Sequence, residues 1–213
     1  MSKSPLLKVH SLSFERDDAN VFAPVSFAVE AGDIVQIEGA NGAGKTTLLR
    51  LLTMVLQPSD GAIEYKGQSL DQCRYDYLSD ILYLGHQPGI KLTLTPEENL
   101  RWSSPGAISS AALANALQQV GLGGYQDVPC YSLSAGQHRR VALARLLTTE
   151  ASIWFLDEPF TAIDKQGIIS LQSIMQRHID QGGIILLSSH QDLALASVRK
   201  YSIEPHADRG LTL

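Results

Sequence analysis

The sequence predicts an α/β fold: a mainly parallel sheet flanked by helices, with a small antiparallel β region and an inserted α-helical lobe. Three observations predict it. First, the β-branched run Ile34-Val35-Gln36-Ile37 leads through the glycine-rich stretch Gly39 to Thr47 into the helical run Leu48-Leu49-Arg50-Leu51-Leu52. Second, short apolar runs at 81–84, 152–156 and 183–187 are interspersed with helical stretches, the rhythm of parallel strands joined by crossover helices. Third, the texture between about residues 90 and 148 becomes helical, as in a lobe inserted into the core.

Each element has its own signal. Residues 6–14 partly alternate and suggest an edge strand, followed by a polar turn at 15–20. Residues 22–30 alternate again, with Val25, Phe27 and Val29 on one face, and Ala31-Gly32-Asp33 turns the chain into the strand before the glycines. A strand at 61–65 returns after the turn at Pro58-Ser59-Asp60, which completes the antiparallel region. The run 81–84 ends in the loop Gly85-His86-Gln87-Pro88-Gly89. Thr95 is a cap, with Pro96 in the first helical turn and Glu97 and Glu98 behind it. A helix over 109–120 stops at Gly121, and Ser134 caps a basic amphipathic helix that runs to Leu147. The strand 152–156 ends in Asp157-Glu158-Pro159 and precedes a helix over 165–179. The strand 183–187 ends in Ser188-Ser189-His190, before a helix over 191–198 and a last strand at 201–203. The whole chain, 1–213, reads as one domain with its core at 1–89 and 149–213 and the lobe at about 90–148.

Composition narrows the function. A net charge of −5 and a pI near 5.6 argue against a general nucleic-acid binder, so no nucleic-acid partner is expected. Apolar runs such as 184–187 are far too short to span a bilayer, and MSKSPLLKVH has no long apolar core. The expectation is a cytosolic protein that reaches a membrane only through a partner. Cys73 and Cys130 lack metal-like spacing and read as packing thiols in a reducing compartment.

The stretch Gly39-Ala40-Asn41-Gly42-Ala43-Gly44-Lys45-Thr46-Thr47 carries the first chemistry. It fits G-x-x-x-x-G-K-[ST] in the strand–loop–helix context that the motif requires. Glycines let the loop curl so that its N–H groups converge on an anion, and the following helix adds its positive end. Lys45 reaches the β- and γ-phosphates, and the Thr46 hydroxyl ligates Mg²⁺. The motif points to nucleotide phosphate binding. Asp157 and Glu158 end an apolar strand. Asp157 suits Mg²⁺ held through its water shell, and Glu158 suits a general base for the attacking water. A solvated acidic pair is the plain alternative, but the phosphate loop upstream favours the functional reading. At Ser134, Gly136 and Gln137 the capped helix start offers a second anion site.

With Leu133-Ser134-Ala135-Gly136-Gln137 about twenty residues before the acidic strand, the chain resembles the ATP-binding cassette family, whose signature reads LSGGQ. Ala135 replaces the first of those glycines. The resemblance implies a P-loop NTPase fold with a RecA-like core, and ATP and Mg²⁺ as cofactors. It makes Gln87 the glutamine linking Mg²⁺ and the attacking water to a transmembrane partner. It makes Ala162-Ile163-Asp164 the loop at the dimer interface and His190 the contact to the γ-phosphate. It also implies an ATP-dependent homodimer, the phosphate loop of one copy and the Ser134–Gly136 segment of the other enclosing each nucleotide. The family's adenine-stacking aromatic falls at Arg16. A guanidinium can stack on a base, though an exposed arginine in a polar turn is an equal reading.

A finer resemblance is to the ATP-binding subunits of bacterial haem exporters of cytochrome c maturation. The residues are Gly85 to Lys91, Leu94-Thr95, Glu98-Asn99-Leu100, Leu133 to Arg145 and Leu156 to Asp164. It implies an integral membrane permease as partner and a peripheral place on the cytoplasmic side of the bacterial inner membrane. The six histidines form no obvious pair and the cysteines lie far apart, so haem is not expected to bind this chain directly. Two alternatives share the motifs: a subunit of another transporter, for lipoproteins or a small solute, and a non-transport ATPase of the ribosome or of DNA repair. Proteins of the second kind usually carry two cassettes or a long coiled insert, which are not seen here.

Overall fold

The computed structural model describes residues 5–104, 106–191, 193, 195 and 198–205. The chain opens with β1 (Leu7–Ser13), β2 (Glu15–Arg16), β3 (Ala19–Asn20), β4 (Val25–Val29) and β5 (Ile34–Glu38). Next come α1 (Lys45–Leu52), β6 (Asp60–Tyr65), β7 (Gln68–Ser69), α2 (Leu70–Ser79) and β8 (Ile81–Leu84). The lobe contributes α3 (Pro96–Ser103), α4 (Ser110–Gln119) and α5 (Ala135–Ala144). The core resumes with β9 (Ile153–Asp157), α6 (Lys165–Asp180), β10 (Ile184–Ser188) and β11 (Val198–Ser202).

Two larger sheets result, as the sequence predicts. An antiparallel sheet runs β4-β1-β6-β7, and a parallel one runs β11-β5-β10-β9-β8. The parallel strands read as unbroken apolar runs because both faces are covered. Ile153 and Phe155 of β9, with Ile184 and Leu186 of β10, pack with α1 and the antiparallel sheet. Trp154 and Leu156, with Ile185 and Leu187, face the opposite way, towards α6 and the lobe. Each fully buried leucine or isoleucine contributes about 1.5–3 kcal/mol. The pairing also sets the chemistry. Ser188 is level with Asp157 on one side and with Ile37 on the other, so three strand ends meet beside the glycine loop.

The lobe helices are fixed by their starts. In α3 the Glu98 N–H donates to Thr95 Oγ1 at 3.2 Å, and the Thr95 N–H donates back to Glu98 Oε2 at 2.8 Å. This reciprocal box satisfies two helix-end donors. Ser109 caps α4, and its hydroxyl accepts from the Ala112 N–H.

Several details differ from the sequence reading. The polar stretch 15–20 is a hairpin, β2 against β3, turning at Asp17 and Asp18, both at positive φ. Paired positive φ values match the twist of a two-residue hairpin loop. Helix α2 was not predicted. Its buried residues Leu70, Cys73 and Tyr77 have helical spacing, but charged neighbours and a kink at Cys73 obscure the stripe. Helix α5 stops at Ala144 and tightens into a 3₁₀ turn, Arg145–Leu147. The last strand begins at Val198, three residues before the predicted 201, because it pairs with β5 along its length. Of the helix predicted at 191–198, Val198 belongs to that strand, while 192, 194, 196 and 197 lie outside the described residues.

Candidate active site

A cavity of about 640 Å³ opens where the parallel strands end. Asn41, Gly42, Gly44, Lys45, Thr46 and Thr47 form one wall. Asp157, Glu158 and Thr161 form another, and His86, His190, Arg16 and Val21 complete it. Most of the sequence-predicted residues are therefore brought together, from four separate segments: Arg16, the glycine loop, the Asp157–Glu158 strand end and His190.

The loop's shape follows from its glycines. Gly42 and Gly44 take φ of 81° and 99°, and Gly39 takes 155°. Gly44 is doubly constrained, since a Cβ there would also lie 2.7 Å from Phe22 Cδ1. Gly44 is the N-cap of α1 and has no side chain to cap it, so the helix's first N–H groups are left for an anion. Lys45 is buried. Its ammonium donates to the carbonyls of Gly39 at 2.7 Å and Ala40 at 3.3 Å, which lash the loop to the helix. Ala43 is buried beneath the loop, and its N–H donates to the Ala40 carbonyl.

The acidic pair divides by environment. Asp157 is buried and accepts from Thr46 Oγ1 at 2.9 and 3.1 Å and from Ser188 Oγ at 2.7 Å. Glu158 is partly exposed at the cavity edge and sits at φ 50°. Its N–H donates to the Ser188 hydroxyl at 3.0 Å and the Ser188 carbonyl at 3.2 Å. His190 Nε2 stands 3.6 Å from Glu158 Oε1. Thus one carboxylate is held by hydroxyls and the other is turned towards a histidine and open space.

Three groups of predicted residues lie outside this cavity, the first being Gly39, Ala40 and Ala43 of the glycine loop itself. Gln87 is exposed and does not line it; its neighbour His86 does. Ser134, Gly136 and Gln137 do not line it either. They form the start of α5, where Ser134 Oγ accepts from the Gln137 N–H at 3.3 Å and Gln137 Oε1 accepts from the Ser134 N–H at 2.9 Å. Gly136 lies against the loop before α6, and a Cβ on it would come within 3.0 Å of the Ala162 carbonyl. Arg16 reaches the cavity on the β2–β3 hairpin. Sequence reasoning passed over Ser188 and His86. Their signal was slight: a hydroxyl that ends one apolar strand, level with Asp157, and an imidazole two residues past the end of another.

This architecture and site define a nucleotide-binding cassette. The ABC transporter family model matches residues 22–161, and the chain belongs to that family. It is an ATP-hydrolysing ABC ATPase. The cytochrome c biogenesis ATP-binding export protein CcmA of Salmonella typhi is 49% identical over 200 residues, covering 93% of this chain and 97% of the relative. The protein of the same description from Yersinia pestis is 49% identical over 199 residues, covering 92% and 91%. A solved structure, a putative ABC transporter ATP-binding protein from Pyrococcus furiosus, superposes with a TM-score of 0.80 at 27% identity, covering 92% of this chain and 96% of that one.

Proposed function

We propose that this chain is the ATP-hydrolysing subunit of the haem exporter, or haem-chaperone release complex, of cytochrome c maturation. Its place is the cytoplasmic side of the bacterial inner membrane, where it sits peripherally on an integral membrane permease that handles the haem. Among the described residues no helix is long and apolar enough to cross a membrane, which is in keeping with attachment through a partner. The observation that carries the reading is the shared cavity of Lys45, Asp157, Glu158 and His190, together with near-half identity to export proteins along almost the full chain.

The donor set fits Mg²⁺ as the metal. Thr46 and Asp157 present adjacent oxygens at the phosphate end of the cavity. No cluster of three or more His, Cys, Asp or Glu side chains suited to a metal exists among the described residues. That matches a hard cation held by one or two protein oxygens, nucleotide phosphates and water. When bound, the ion neutralises phosphate charge. Lys45 and the loop N–H groups then hold the β- and γ-phosphates, and Glu158 takes the proton of the attacking water. His190 orients that water and the γ-phosphate. Gln87 enters from the 85–89 loop when the partner is engaged, and Arg16 stacks on the base.

The start of α5 completes the site of a second copy. Ser134, Gly136 and Gln137 do not line this chain's own cavity. The capping box occupies the Ser134 and Gln137 N–H groups, and the Gly136 N–H with the positive end of α5 is what the segment offers to the γ-phosphate on a facing protomer. The lobe at about 90–148 carries that segment. Pull-down of the tagged chain from its native membranes tests the whole-complex reading. A haem-handling integral membrane protein is the expected partner; a permease for lipoproteins or another solute would contradict it.

A further inference from the structure

We infer that Arg139 is a positioning residue for hydrolysis, which holds Glu158 and the 85–87 loop in register with the start of α5. The inference rests on the role proposed above for Glu158. Arg139 lies one turn into α5, five residues after Ser134, and is 3% exposed. Its guanidinium has five N–H donors in a planar fork. Nη1 donates to the carbonyls of Gly85 at 2.9 Å and His86 at 3.4 Å. Nη2 donates to the carbonyls of Asp157 at 3.1 Å and Glu158 at 2.7 Å. Four donors thus reach two backbone segments that sequence separates by about seventy residues. Nε, buried as well, has no partner among the described residues.

This is a costly way to fill space. A buried cation loses its hydration, and burial pushes this guanidinium below its ordinary pKa against the pull of Asp157 and Glu158. An apolar side chain would fill the volume without that cost. What only the fork supplies is a fixed geometry for four carbonyls. Glu158 needs such a constraint, because its φ of 50° is a left-handed conformation that a glutamate does not favour. Ser188 holds the N–H side of that residue, and Arg139 holds its carbonyl side. Release of the second grip lets the peptide relax and swings the carboxylate away from His190. The same fork fixes His86, which lines the cavity, and so sets the start of the loop that carries Gln87. A displacement of α5 by a nucleotide on a facing copy is passed to both places by one rigid group.

The test compares Arg139→Gln and Arg139→Lys with wild type and with Glu158→Gln in the full-length protein. ATP affinity is read with a fluorescent ATP analogue, and kcat and KM are read from phosphate release. Misplacement of a catalytic group by about an ångström costs on the order of 100-fold. Arg139→Gln is therefore expected to lose about 10- to 100-fold in kcat while ATP affinity stays within about threefold. Arg139→Lys, which keeps the charge but lacks the fork, is expected to fall between Gln and wild type. If Arg139→Gln does not fold, Arg139→Lys decides by the same criterion. Wild-type kcat in the folded variants, or losses of kcat and ATP affinity in equal proportion, overturns the inference while Glu158→Gln remains inactive. Wild-type turnover by Glu158→Gln overturns the role of Glu158 and the inference with it.

Discussion

The Thr46 hydroxyl lies 2.9 Å from one carboxylate oxygen of Asp157 and 3.1 Å from the other. The two residues are 111 positions apart. Thr46 stands in the first turn of α1 and Asp157 at the end of β9, and the sheet order leaves β10 alone between β9 and β5, which leads into α1. A second hydroxyl, Ser188, occupies the far side of the same carboxylate. The carboxylate is thereby aimed, buried and kept from other partners. On the metal role proposed for Asp157, this is the supporting shell that its oxygen needs.

Asp157→Asn is expected to raise the Mg²⁺ requirement of ATP hydrolysis by about 10- to 100-fold. The isosteric amide keeps the contact with Thr46, so the fold should survive. Titration of ATPase rate against Mg²⁺ reads the effect, and an unchanged half-saturating concentration would remove Asp157 from the metal site.

Lys45→Ala removes the tie to the Gly39 and Ala40 carbonyls and, on the role proposed for Lys45, the phosphate contact. Its ATP affinity should drop at least tenfold, worth about 1.4 kcal/mol or more. Wild-type protein with ATP at about 100 times its Kd gains about 2.7 kcal/mol of stability. A thermal-shift series should show that gain shrinking in the variant. An equal shift in both proteins contradicts the assignment.

Gly44→Ala tests the loop's geometry. The added methyl meets Phe22 Cδ1 at 2.7 Å and Val21 Cγ1 at 2.9 Å, on a backbone at φ 99°. A cost of about 1–3 kcal/mol follows from overpacking. Urea unfolding should place the midpoint lower with an unchanged slope. A variant as stable as wild type would mean that the 21–22 segment yields to the methyl.

His178 gives a pH dependence of stability away from the active site. It stacks on Trp154, with ring centroids 3.7 Å apart, and its Nε2 lies 3.1 Å from the Ser152 carbonyl. Burial holds its pKa below the ordinary 6.5, against opposing hydrogen bonds to the backbone and the field of Asp80. The unfolded chain then binds the proton more readily than the folded one. This contribution to stability is complete above about pH 6.5 and declines as the pH falls through the folded pKa, at up to about 1.4 kcal/mol per pH unit. His178→Phe should show a smaller loss of melting temperature between pH 7.5 and 5.5 than wild type. Identical losses would assign the acid sensitivity to other groups.

The sequence made the phosphate loop and the acidic strand end legible because each is a short motif whose chemistry depends on local spacing, whereas His190 was singled out only through the family resemblance. Asp157 and Thr46 could be paired by role before their contact was seen. The parallel sheet was legible for a similar reason: strands covered on both faces lack polar alternation. Other features depend on tertiary geometry. Arg139 looks like one more cation on a basic helix until the helix is docked and its fork meets four carbonyls. Helix α2 is hidden because only three of its ten residues are buried. Gln87 lies on a loop whose place no short-range rule sets, and the structure turns His86 into the cavity in its stead. Arg16 was assigned to a turn because two aspartates at positive φ make a hairpin that is hard to tell from a polar loop.

The central claim is that two copies of this chain close on ATP, with Ser134 and Gly136 of each completing the other's cavity. The most direct measurement is the mass of Glu158→Gln in solution, by light scattering with and without Mg²⁺-ATP. A shift from about 23 kDa to twice that on adding ATP, abolished by a further Ser134→Arg substitution, is the predicted result. A protein that binds ATP tightly yet remains at the monomer mass at every concentration would contradict it.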